Sequence, residues 1–284
     1  MDVGVALPNS VPGATGAQMT EWARRAEARG FSTLGTIDRI VYDNYEPLIA
    51  LAAAAAVTER IGLSTTVLLA PLRTNAVELA KQARSVNALS GGRLTLGVGL
   101  GARDDDYEAS GVELKGRGKR LDAMLEEMKA IWAGDEVGPS ISGAPRLIVG
   151  GHADAAYARA ARFGDGWIAA GSGPDQAREG AEKARAVWAE AGREGREGEP
   201  HIMALAYFSL GERAEQDLRD GLLDYYAWLG EDIAKMIGDS AAQDAATVEQ
   251  YISAYESLGC DELVFCPSSP DPTQVDLLAD AASL

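Results

Sequence analysis

Histidine, cysteine, lysine and clustered carboxylates carry much of enzyme chemistry, and this 284-residue chain holds few of them in useful spacings. Its two histidines, His152 and His201, sit in no HxH or HExxH pattern, so a zinc hydrolase lacks ligands and no metal site is expected. The two cysteines, Cys260 and Cys266, lie six apart in a predicted strand; they form neither a CxxC pair nor a disulfide framework, which points to a reducing compartment, the cytoplasm. Asp104, Asp105 and Asp106 are adjacent, and three consecutive carboxylates fan outward; they are expected to form a solvated loop that caps the next helical turn.

Two glycine-rich segments are better candidates. Gly97 to Ala102 (GVGLGA) formally fits a dinucleotide fingerprint, but Arg103 to Asp106 follow where an apolar helix should begin. Those glycines either let a flat ring lie against bare backbone or pack closely around a bend. In VGGHAD, Val149 to Asp154, a predicted strand runs through Gly150 and Gly151 directly into a helix. Free amides at such a turn can bind a phosphate, with His152 donating to it; equally, the segment can be a tight turn with His152 as its cap.

The elements that must position these residues repeat. Short runs rich in β-branched residues, Val3–Leu7, Thr33–Ile37, Leu63–Leu69 and Leu94–Gly99, start 30, 30 and 31 residues apart. Helical patterns lie between them: 18–29 ending at Gly30, 47–58 opening on Pro47, and 75–90 ending at Gly91-Gly92. A long helix at 118–133 leads to strand 146–150. Further strands are read at 166–170, 202–210 and 262–266, with helices at 175–191 and 273–283. The stretch 192–200 reads as a surface loop, and 212–258 is too long for one helix and should hold two or three. Eight strand–helix units in this length predict an α/β fold, a single-domain (β/α)8 TIM barrel over 1–284.

In such a barrel, chemistry is built at the carboxyl ends of the strands. Asn9 and Ser10, Asp38 and Arg39, Arg73, Arg103, Gly150 to His152, and Gly171 with Ser172 fall there. None of the six lysines (Lys81, Lys115, Lys119, Lys129, Lys183, Lys235) does, which excludes a Schiff-base aldolase. With 46% hydrophobic and 24% charged residues the chain is an ordinary globular protein, and 43 acidic against 26 basic residues (net −17) make nucleic acid an unsuitable partner. The longest uncharged stretch, 3–20, is broken by Pro8, Asn9, Ser10, Pro12 and Gln18, so neither a membrane span nor a leader is expected.

Four segments together resemble the bacterial luciferase-like superfamily of flavin- and deazaflavin-dependent barrel oxidoreductases. They are VGVALPN with AQMTEWARRAEARGF, EPLIALAAAAAVTERIGLSTTVLLAPLR, ELAKQARSVNALSGGRLTLGVGLGARDDDYEASGV and PRLIVGGHADAAYARAARFGDGW. The resemblance implies a flavin ring in the barrel mouth. One face would rest on Val67, Leu68, Leu69 and Ala70, where members often hold a non-prolyl cis peptide. Gly97, Gly99 and Leu100 would flank the ring, and Gly150, Gly151, His152, Ala170 and Gly171 would receive the ribityl phosphate.

The departures bear on mechanism. Deazaflavin users commonly place a histidine after the aspartate ending the second strand, and here Arg39 follows Asp38. Leu100 stands where sugar-phosphate dehydrogenases of the family carry a glutamate and luciferase a phosphate-binding arginine; luciferase's catalytic histidine near the second strand is also absent. No acid/base set carries over, which leaves Asp38, Arg39 and Arg103 as candidate catalytic residues, with Arg73, Tyr42, Tyr45 and Tyr107 in adjacent loops. An arginine there could stabilise developing negative charge, bind an acidic substrate, or pair with Asp38; the adjacent Asp38 and Arg39 are expected to pair and organise their own loop.

The implied activity is that of a two-component monooxygenase using FMN, reduced by a separate flavin reductase, and dioxygen on a small organic substrate. The alternatives are hydride transfer by the deazaflavin coenzyme F420 and a non-catalytic flavin-binding barrel. The resemblance further implies a homodimer, for which Ala50 and Ala52 to Ala56 would permit close helix contact.

Overall fold

The structure is a computed structural model that describes all residues except 142, 170, 172 and 194–197. The strands are β1 (Asp2–Ala6), β2 (Thr33–Thr36), β3 (Gly62–Leu69), β4 (Leu94–Gly99), β5 (Arg146–Gly150), β6 (Gly166–Ala169), β7 (His201–Phe208) and β8 (Glu262–Pro267). They pair in parallel and in chain order, and β8 closes on β1. The helices are α1 (Gly16–Arg29), α2 (Pro47–Ala55), α3 (Ala76–Leu89), α4 (Asp104–Ala109), α5 (Arg117–Ala133), α6 (Asp154–Phe163), α7 (Pro174–Glu190), α8 (Ala214–Tyr226), α9 (Glu231–Asp239), α10 (Ala245–Ser257) and α11 (Thr273–Ala281). This is the (β/α)8 barrel that the strand spacing predicts; β4 and β5 match at both ends and no other strand end moves by more than two residues. None of the described helices is long and apolar enough to cross a membrane.

Local signals fix the helix ends. Thr15 and Gln18 form a reciprocal capping box at the start of α1, and Gly30 ends it at φ 87°. Glu46 and Asn75 accept the first-turn amides of α2 and α3. Alternation along the strands then divides the core in two. Met203 and Leu205 of β7 and Val264 and Cys266 of β8 point into the barrel with Ala6, Ile37, Ile148 and Ile168. Their neighbours Ile202, Ala204, Leu263 and Phe265 face the helical layer.

The segment 212–258 holds three α-helices and a short 3-10 turn (Ala227–Leu229), in line with its length. From α8 to α9 it crosses the carboxyl ends of the strands, so that Tyr225 packs against Arg39 and Arg103 in the loops after β2 and β4 and against the barrel interior.

The third strand is irregular where the site is expected. Its pairing with β4 shifts between Thr65 and Leu68, and the Thr66–Val67 peptide is cis and non-prolyl, at the position the resemblance implies. A Cβ on Gly97 would stand 2.1 Å from the Thr65 carbonyl oxygen, and one on Gly99 would stand 2.6 Å from Val67 Cγ2. These glycines give β3 room to bulge, and Val67 occupies the space beside Gly99, the close packing around a bend that is one of their two readings.

Candidate functional site

Asp38 and Arg39 follow β2 side by side but face opposite ways, as successive residues of an extended chain do. The buried Asp38 carboxylate accepts both terminal nitrogens of Arg73, one at 3.1 Å, and the Leu69 amide at 2.7 Å. It thereby ties β2 to the bulged end of β3. Arg73 also reaches Glu46 at 3.2 Å; burial works against its charge, but Asp38 and Glu46 outweigh it and hold the guanidinium above its ordinary pKa.

Arg39 turns toward α4. Its Nε donates to Asp106 at 2.6 Å and its Nη2 to Asp105 at 3.3 Å and the Val41 carbonyl at 2.9 Å. Its guanidinium carbon lies 5.4 Å and 5.6 Å from the Tyr42 and Tyr225 ring centroids, while Nη1 has no hydrogen-bond partner among the described residues. The expected Asp38–Arg39 pair is therefore not formed. The aspartate run is corrected too: Asp106 is 1% exposed and accepts the Ile40 and Val41 amides as well as Arg39. Asn9 is likewise structural, since its amide pairs with both backbone groups of Ile37.

Arg103 donates to the Tyr225 carbonyl at 2.7 Å and lies over the Tyr225 and Trp228 rings at 5.5 Å and 5.2 Å. Burial, followed by the charge of Arg39, lowers its pKa. With the Tyr42 hydroxyl donating to Asp224 at 2.9 Å, Arg103 fastens the end of α8 across the mouth. Neither Arg39 nor Arg103 lines the cavity beneath; Asp38 does.

That cavity measures about 570 Å³. Ile37, Asp38, Thr66, Val67 and Leu69 form one side; Leu205, Tyr207, Tyr225, Tyr226, Leu229 and Met236 form another; Gly171, Gly173 and Gln176 form its rim. A larger open groove, about 860 Å³ and lined by Arg146 and His201, lies at the opposite end, away from the carboxyl ends where barrel chemistry sits.

The expected flavin contacts divide. Val67 and Leu69 face the cavity, whereas the Leu68 and Ala70 side chains are fully buried in the helical layer. Leu100 packs toward that layer and its carbonyl accepts the Tyr107 hydroxyl. Gly150 faces the interior, where a Cβ would come within 3.1 Å of Val67. Gly151 adopts φ 132° and accepts the Trp167 indole N–H at 2.8 Å; the exposed His152 ring stands edge-on to Trp167 at 6.1 Å. Gly171, at φ 66°, borders open space. Ala170, like Ser172, lies outside the described residues. Among the described residues no side chain caps α6 or α7; α7 opens on Pro174, which has no N–H, so its first amide is that of Asp175.

The tyrosines of β7 and α8 escaped the sequence reading. The alternation Met203, Leu205, Tyr207 could have placed Tyr207 inside the barrel; Tyr225 and Tyr226 had no such signal.

The profile of the family described as luciferase-like monooxygenase matches residues 1–260. The chain belongs to that family. An uncharacterized protein of Mycobacterium tuberculosis is 35% identical to the luciferase-like chain over 190 residues, 54% of this chain and 65% of that protein, so the match spans just under two thirds of the relative. An F420-dependent glucose-6-phosphate dehydrogenase of Nocardia farcinica is 36% identical over 138 residues, 42% of this chain and 40% of that one. Monooxygenase RslO1 from Streptomyces bottropensis shares the fold, with a TM-score of 0.80 at 21% identity over 99% of this chain and 98% of that one.

Proposed function

We propose that this chain is a luciferase-like oxidoreductase that acts on a small, uncharged organic substrate with reduced FMN and dioxygen, the FMN being supplied by a separate reductase. One observation carries the reading. The cavity sits on the bulged β3, and Asp38, the one charged side chain among its described lining residues, is neutralised by Arg73. Away from the Gly171–Gly173 rim, such a lining offers a charged substrate group no counter-charge.

The residues present fit a flavin-type group. Val67 and Leu69 offer an apolar face to a planar ring, and Gly171 leaves open the space a Cβ would take. The start of α6, with Gly150, Gly151 and His152 just before it, and the α7 amides after Pro174 would hold a phosphate. Bound reduced flavin would supply two electrons to dioxygen, one oxygen atom going to the substrate and the other leaving as water. The chain itself binds, orients and excludes water: α8 and α9 cover the mouth, and Asp38 with Arg73 holds β2 and β3 in register around the pocket.

A second reading, hydride transfer by F420, is favoured by the likeness to the Nocardia dehydrogenase. The cavity argues against a sugar phosphate, because no free cation is among its described lining residues. Both readings include a homodimer through α2, on which Ile49 is 69% exposed while Ala50, Ala54 and Ala55 face the sheet.

The test is a fluorescence titration with reduced FMN and, separately, reduced F420. Reduced FMN should bind tighter by about tenfold or more, ~1.4 kcal/mol, and the loaded protein should consume oxygen. Selective binding of F420 moves the function to hydride transfer, FMN binding without oxygen consumption leaves a binding protein, and binding of neither overturns the assignment.

A further inference from the structure

We propose that the paired hydroxyls of Tyr207 and Tyr226 form the element that recognises oxygen in the substrate: one phenol donates to the other, and the second proton is offered to a carbonyl or hydroxyl oxygen of an uncharged organic ligand. This inference rests on the reading of the mouth cavity as the substrate site.

Tyr207 belongs to β7, and its side chain points into the barrel above Leu205. Tyr226 is the last residue of α8, the helix that crosses the mouth. The two hydroxyl oxygens stand 2.7 Å apart with the rings edge to face at 5.9 Å. Both residues line the cavity.

Two phenols carry two protons, and their mutual bond uses one. No other hydrogen bond is made by either hydroxyl among the described residues. The remaining donor would cost about 1–3 kcal/mol if buried without a partner. Phenylalanine would pack these positions equally well, so the hydroxyls point to a polar ligand. Burial pushes both phenols above their ordinary pKa; the bond from Tyr207 partly offsets this at Tyr226. Both therefore stay protonated through the neutral range. A hydroxyl that accepts one hydrogen bond also becomes a better donor of its own. Facing them are apolar side chains, the uncharged Thr66, Gln176, Ser240 and three further tyrosines, and the Asp38 carboxylate, which Arg73 already pairs. The arrangement suits a neutral molecule with one oxygen to anchor and an apolar body to bury.

The test uses two neutral probes of one shape, acetophenone and α-methylstyrene, which differ by C=O against C=CH2. Their binding is followed calorimetrically with the full chain, without cofactor, for the wild type and for the double variant Y207F/Y226F. Acetophenone should bind the double variant about 3- to 10-fold more weakly, the worth of one neutral hydrogen bond, while α-methylstyrene binding stays unchanged. Unchanged α-methylstyrene binding also shows that the pocket is intact. Each single variant keeps one phenol and should lie between.

Equal weakening of both probes, no loss for acetophenone (as expected if the Tyr225 hydroxyl were the donor), or a wild type that binds neither probe overturns the proposal. A parallel titration with reduced FMN separates the two readings. If the wild type fails to bind FMN but loses acetophenone selectively in the variant, the cofactor assignment fails and the hydroxyl pair stands.

Discussion

The arginine nearest the expected ring by sequence has a structural task. Arg39 is held by Asp106, itself 1% exposed, and Asp106 also accepts two backbone amides, so β2 is locked to α4 by one carboxylate. Removing that carboxylate strands a guanidinium whose side chain is 3% exposed. Breaking a buried ion pair from one side costs about 3–5 kcal/mol, and D106A should lose that much in urea unfolding. R39A/D106A should lose less than the sum of the single variants. A D106A protein within about 1 kcal/mol of the wild type would show that Arg39 is free for other work. None of these partners was legible in the sequence. Asp38 meets Arg73 at a separation of 35 residues, Arg39 meets Asp106 at 67, and Tyr207 meets Tyr226 at 19. Pattern reading sees neighbours along an element, whereas these pairs are set by which strand end faces which loop.

Elements were far more legible, for a physical reason. Strands buried on both faces are short β-branched runs, and crossover helices of similar length restart them at nearly constant spacing. The helices of 214–239 break that pattern because they lie across the mouth and not along the wall, so their pairing with β7 and β2 follows no repeat. Joints between elements can be tested singly. Glu27, near the end of α1, accepts the amides of Glu59, Arg60 and Ile61 at 2.9, 2.6 and 2.9 Å and so positions the turn that leads into β3. Burial raises its pKa, but these hydrogen bonds and the charge of Arg60 outweigh it and hold the carboxyl below 4.5. A carboxyl depressed in the folded state stabilises the fold above its unfolded value, and that stabilisation is lost as pH falls through the folded value. E27Q should therefore lower stability at pH 7, by about 1 kcal/mol after screening by solvent, and should match the wild type only at a pH well below 4.5. Denaturant midpoints at the two pH values decide it; a difference that persists at low pH would assign the effect to packing.

At the scale of the whole molecule, closure of β8 on β1 leaves no sheet edge from which the barrel can fray, so its parts should open together. The two thiols report on this from different layers. Cys266 points into the barrel at 1% exposed, and Cys260, just before β8, lies in the outer layer at 4%, where it donates weakly to the Glu262 and Ile202 carbonyls. Burial pushes each thiol up to about 12, so at pH 8 only about one in ten thousand is a thiolate in the native state. A disulfide reagent should then react with neither until the chain unfolds, when two equivalents are released. Single variants C260S and C266S should label at one common rate, that of global opening. Faster labelling of Cys266 would mean that the barrel interior is reached without unfolding. The route nearest it is the mouth, where the Tyr207–Tyr226 hydrogen bond and the Arg103–Tyr225 contact would have to part first. Y226F, which removes one of those ties, should leave the common rate unchanged if α8 and α9 are part of the cooperative unit, and should accelerate Cys266 alone if they open independently.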